Sequence, residues 1–117
     1  MPNKQKRGKL MPRINTRDAG EYVASLQPFT SNGAIRGDWD ENGAFVVWSY
    51  ASAIAAIYPD EQRATINAAK YSVTTSKHQH ETRNGLAKLG YAITEETDPA
   101  AFEISTGHRA RLRGANW

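Results

Sequence analysis

Cysteine is absent from the 117 residues, which rules out disulfides and thiolate metal sites. Long apolar runs are missing too. The longest, "AFVVWSY" at residues 44–50, falls far short of the roughly 20 residues a spanning helix needs. The opening "MPNKQKRGKLMPR" carries positive charge with no apolar stretch behind it, unlike a secretory signal. Acidic residues are missing from both ends. Residues 1–17 and 108–117 contain none, yet they hold nine of the fifteen lysines and arginines. The body between them therefore carries a net −6 and the ends +9, which gives the overall +3. Basic ends on an acidic body suit arms that reach a polyanion. No G-x-S-x-G, P-loop or G-x-G-x-x-G pattern occurs either. With no signal and no span, the expectation is a cytoplasmic protein of one domain.

What is present divides into an arm, a body and a tail. Residues 1–14 read as a flexible basic arm, 15–106 as an α+β domain and 107–117 as a basic tail. Asn15 or Thr16 can cap a first helix whose apolar residues Ala19, Tyr22, Val23 and Leu26 fall on one face, with Pro28 ending it. Asn32-Gly33 and Asn42-Gly43 are reversal signals. Strands are expected over 44–50, 53–58 and 64–69, with a tight turn or bulge at Ala51-Ser52. The alanines between 51 and 69 also suit a helix, but Val46, Val47, Trp48, Ile54 and Ile57 favour strands. The fold class expected is a small α+β domain with the order helix, three-stranded antiparallel sheet, helix. That order also occurs in double-stranded-RNA-binding domains, and many small domains share it.

The second helix is read from "KYSVTTSKHQHETRN" (70–84). Ser76-Lys77-His78-Gln79 fits a capping box, with helix from there through Leu89 and Gly90 closing it. On such a helix His78, Thr82, Leu86 and Leu89 share the inner face, and Lys77, Glu81, Asn84 and Lys88 the outer one. Asp98-Pro99 can start a short helix through Phe102. The stretches "FVVWSYASAIA" and "KYSVTTSKHQHETRNGL" resemble a segment of small proteins from actinobacterial tailed phages. In those, a YSY…IA strand pair precedes a YSVTTSKHQ helix start. The resemblance spans about residues 45–89. It rests on Trp48, Ser49, Tyr50, Ile54, Tyr71, Ser72, Thr74, Thr75, Ser76, Lys77, His78 and Gln79. It implies a phage origin and a host-cytoplasm setting, and it supplies no catalytic residues.

The chemistry expected of the helix start is anion binding. The first N–H groups of a helix lack internal partners, and the dipole adds about half a positive charge there. Thr75, Ser76, Lys77 and His80 would present donors to a phosphate, as that end of a helix commonly does. Lys4, Lys6, Arg7, Lys9, Arg109, Arg111 and Arg113 would add a salt-dependent, non-specific affinity. The bland alternative is a cap with solvated lysines and solubilising tails. Two residues apart on a helix, His78 and His80 cannot grip one metal ion, and neither a metal nor another cofactor is expected. Trp48, Tyr50, Tyr58 and Tyr71 are candidates for a base-stacking platform or, more simply, for core. The function expected is that of a non-enzymatic nucleic-acid-binding protein. The alternatives are a small effector that binds a host or phage protein, and a ribonuclease-like enzyme using His78 and His80.

Overall fold

The computed structural model describes residues 11–110. Among these, six strands form one sheet in chain order: β1 (Phe29–Ser31), β2 (Ile35–Trp39), β3 (Phe45–Ser49), β4 (Ser52–Tyr58), β5 (Arg63–Asn67) and β6 (Ala92–Glu96). The first five make an antiparallel meander, and β6 joins β5 in parallel. Three helices accompany them: α1 (Ala19–Ala24), entered through a 3-10 turn at Thr16–Asp18, α2 (Val73–Leu89) and α3 (Pro99–Thr106). The expectation of a three-stranded antiparallel sheet between two helices is therefore corrected. The sheet has twice as many strands, is mixed, and carries a third helix.

The three expected strands are present, as β3, β4 and β5. What went unread lies on either side of them. β2 alternates Ile35, Gly37 and Trp39 on one face with Arg36 and Asp38 on the other, a period of two disguised by glycine at a core position. Gly37 fits there because a Cβ would lie 2.6 Å from the Phe29 ring. The two Asn-Gly pairs are real turns flanking β2, with Asn32 at φ 51° and Gly33 at φ 70°. Edge strand β6 is polar and mostly exposed, so it shows no apolar pattern at all. β3 and β4 meet through a two-residue turn at Tyr50-Ala51, and a bulge shifts their register between Val47 and Trp48. That bulge leaves Ile54 and Ala55 both in the same core cluster.

One sheet face packs against α1 and α2 around Val23, Phe29, Ile35, Phe45, Val47, Ile57, Ile66 and Leu86. The two helices touch closely because both carry glycine where they cross. A Cβ on Gly85 would come within 2.5 Å of the Gly20 carbonyl oxygen. The other face is smaller, with Phe102 of α3 and Ala110 covering Val46 and Ala53.

Both boundaries drawn from the sequence shift. The chain at 12–14 already pairs with β1, where the Thr30 amide donates to Pro12 O and the Ile14 amide to Thr30 O, each at 2.9 Å. Residues 107–110, expected to be tail, return across the second face as a strap. The Ala53 amide donates to Arg109 O (2.7 Å), Tyr71 Oη to Ala110 O (2.6 Å), and the Ala110 amide to Glu103 Oε2 (2.9 Å). His108 Nε2 lies 2.9 Å from Asp40 Oδ2, and its ring meets Trp48 edge-on.

Candidate nucleic-acid interface

Helix α2 begins one turn earlier than its sequence suggests. Ser72, not Ser76, is the cap: its backbone is extended (φ −141°) and its Oγ accepts from the Thr75 amide at 3.1 Å. Such a cap is worth about 1 kcal/mol. The Ser76 amide is consequently an interior helix donor, bonded to Ser72 O at 2.9 Å. The capping box of Ser76 and Gln79 does not form. Gln79 is buried, and its Nε2 donates to Asn67 O (2.7 Å) and Ala69 O (3.0 Å), tying the helix to the end of β5.

The inner stripe of α2 is polar at its start. Thr75, expected at the surface, is 4% exposed, and its Oγ1 lies 2.9 Å from Ser49 Oγ. Ser49 Oγ also lies 2.7 Å from His78 Nδ1. Burial pushes the His78 imidazole below its ordinary pKa, so it is held neutral. His78 thus sits deep in the fold, bonded to a side chain, rather than at the core edge bonded to backbone. His80 is on the exposed side of the helix, so the two histidines are not brought together. Among the described residues no group of three or more His, Asp or Glu is gathered as metal ligands would be. No described helix is long and apolar enough to cross a membrane.

Three expected contacts do converge. Ser76, Lys77 and His80 line a shallow groove of about 490 Å³ with Thr16, Arg17, Val73 and Glu81. The 3-10 turn before α1 supplies part of the lining, which brings Arg17 into one groove with Lys77. Val73 is 76% exposed there. Three cations of the described body are ion-paired, Arg63 with Glu61, Arg83 with Glu95 and Lys88 with Glu21, and Arg36 lies over the Trp48 ring. Arg17 and Lys77 have no ion-pair partner among the described residues.

The described end of the strap is tied to the residue before this helix cap. Tyr71 immediately precedes the Ser72 cap, and its Oη holds Ala110 O. Exposed Lys70 and Arg109 are the neighbours of those two residues in sequence. Burial raises the Tyr71 pKa, so its hydroxyl stays protonated to donate that bond. Arg111 and Arg113, like Lys4, Lys6, Arg7 and Lys9, lie outside the described residues.

The aromatics separate clearly. Trp48 has the Arg36 guanidinium over its face at 4.1 Å, and Tyr58 has that of Arg63 at 4.2 Å. Tyr71 is engaged by Asn67 and Ala110. Tyr50 is 53% exposed, at φ 55°, in the turn between β3 and β4. A left-handed backbone costs a non-glycine residue about 1 kcal/mol or more.

A model for a family of unknown function, DUF8033, matches residues 18–96. The chain belongs to this family. No curated protein and no solved structure matches it. The DUF8033 segment runs from the last residue of the 3-10 turn to the end of β6. It includes Tyr50 and the start of α2. Arg17, α3 and the strap fall outside it.

Proposed function

We propose that the protein binds nucleic acid without catalysing a reaction on it, using the surface around the start of α2. The observation that carries this reading is the distribution of ion pairing. Three cations elsewhere on the described body are matched by carboxylates, whereas Arg17 and Lys77 line one groove together with no ion-pair partner among the described residues. Cations left unmatched at one place favour a polyanion. The strap supports it, because Tyr71, next to the Ser72 cap, holds Ala110, and the sequence after Arg109 adds Arg111 and Arg113. The resemblance of residues 45–89 to tailed-phage proteins supports a phage setting.

Binding to labelled duplex DNA, duplex RNA and single strands over a salt series tests this. Affinity should fall steeply with salt, and Arg17→Ala and Lys77→Ala should each reduce the log–log slope by about 1. Absence of binding at low salt, or unchanged binding by both variants, would sink the reading.

A second reading, a protein-binding effector, draws on Val73, whose side chain stands 76% exposed in the groove. It predicts a partner complex that survives nuclease and added salt.

A further inference from the structure

We propose that Tyr50 is a stacking post for an unpaired base, so that the ligand of this surface is single-stranded nucleic acid. This rests on the phosphate-binding reading above and narrows it.

Tyr50 is unusual in two respects. Its backbone is left-handed, as it is at only three other non-glycine residues among those described: Leu26, Asn32 and Gln62. Asparagine tolerates that conformation, Leu26 recovers the cost by packing on the core, and Gln62 closes the 3-10 turn Pro59–Glu61. Tyr50 lies in the two-residue turn between β3 and β4, where a left-handed backbone is usual, yet more than half of its large side chain faces solvent. Such a turn favours glycine or asparagine, so a large exposed ring in that position points to use of the side chain.

The ring is nonetheless held in place. The Tyr50 amide donates to Ala34 O at 2.7 Å, and buried Ser49 and Ser52 flank the turn. Its ring centroid is 5.9 Å from that of His78, tilted by 42°. A ring supported on one side and open on the other is the arrangement a stacked base needs.

Ser31, Ile35 and Ser49 stand in one row across β1, β2 and β3, and Thr16 Oγ1 lies 2.9 Å from Ser31 Oγ, so Tyr50 and Arg17 follow residues at the same end of the sheet. Arg17 opens onto the groove shared with Lys77 and His80. An aromatic at the same end of the sheet as unmatched cations suits a base and its phosphates together. In a duplex the bases are already stacked and paired, and the ring would have nothing to receive.

The test uses the full chain with labelled oligo-dT, oligo-U, a duplex of equal length and heparin as a base-free polyanion. Tyr50→Gly removes the ring and suits the left-handed backbone, so the fold should be retained or stabilised. It should weaken binding to both single strands at least about 5-fold and leave heparin and duplex binding within 2-fold. Tyr50→Phe should bind like the wild type. A 2-aminopurine in the single strand should be quenched by the wild type and not by Tyr50→Gly. The oligo-dT and oligo-U arms tell DNA from RNA.

Equal loss on all four ligands, or no loss on single strands, overturns the stacking role while leaving the phosphate surface standing. No binding to any nucleic acid overturns both. Capture of a protein through Val73 with no nucleic acid bound does the same.

Discussion

Ser49 Oγ lies 2.7 Å from His78 Nδ1 and 2.9 Å from Thr75 Oγ1, joining the end of β3 to the first two turns of α2. All three residues are buried. Removing the hydroxyl leaves polar atoms without that partner in a place water does not reach, at a cost of about 1–3 kcal/mol. Ser49→Ala should lose that much in urea unfolding. Wild-type stability in this variant would mean the three groups re-pair elsewhere.

His78 makes stability depend on pH. Burial lowers its pKa in the folded protein below the ordinary 6.5. Between the two values the unfolded chain binds more protons, so stability rises with pH there. Its contribution is complete above about pH 6.5 and is lost as pH falls toward the folded value. Unfolding midpoints measured from about pH 7.5 down to 5 should decline in the wild type. His78→Gln, which cannot titrate, should show a shallower decline.

Gly85 sets the distance between α1 and α2. Alanine there gains about 1 kcal/mol in helix propensity. It also drives a methyl to 2.5 Å from the Gly20 carbonyl oxygen and 2.7 Å from Val23 Cβ. The first of these is backbone and cannot swing away. Overpacking costs about 1–3 kcal/mol, so Gly85→Ala is expected to lose up to about 2 kcal/mol net. A stabilised variant would show that the helices separate freely.

Tyr71 fastens the strap. Its Oη receives from Asn67 Nδ2 at 2.7 Å and donates to Ala110 O at 2.6 Å. Tyr71→Phe keeps the ring and removes both bonds, so it should cost roughly 1–3 kcal/mol. The local consequence is more specific. Trypsin should cut after Arg109 faster in the variant than in the wild type, where the Arg109 carbonyl is bound to Ala53. Equal cutting rates would place the fastening elsewhere, in the pair of His108 with Asp40 or in Ala110 itself. In that pair burial alone would raise the Asp40 pKa, but the Ala44 amide, His108 and the Asn42 amide together bring it below 3.8.

How legible each part was depended on whether burial left a periodic trace. β3 and β4 are buried on both sides and read plainly from Val46, Val47, Ile54 and Ile57. The C-terminal glycine of α2 was readable because Gly90 adopts φ 72° and only the local chain decides that. The start of α2 was not, because Ser72 and Ser76 are equally good caps in isolation. Ser72 is selected by tertiary partners: Thr75, His78 and Gln79 point inward at Ser49 and Asn67 only if the helix begins there. β2 was hidden by Gly37, whose place is dictated by two phenylalanine rings far off in sequence. Of the candidate site, Ser76, Lys77 and His80 were found by residue type. Tyr50 was one of four aromatic candidates, and the structure separates it from Trp48, Tyr58 and Tyr71 by its exposure; Arg17 needed the three-dimensional arrangement, and Thr75 proved to belong to the core.

The parallel pairing of β6 has a consequence for how the chain assembles. Through β5, every strand lies beside its predecessor in sequence, and each hairpin can close on its own within microseconds. Arg63 and Ala92, opposite each other across β5 and β6, are 29 residues apart. Bringing them together carries a larger closure entropy, and α2 lies between them. The meander can therefore zip first, and the last strand completes the sheet only once the helix bearing Lys77 and His78 has settled over Ser49. Substitutions in β6 should then speed unfolding more than they slow folding.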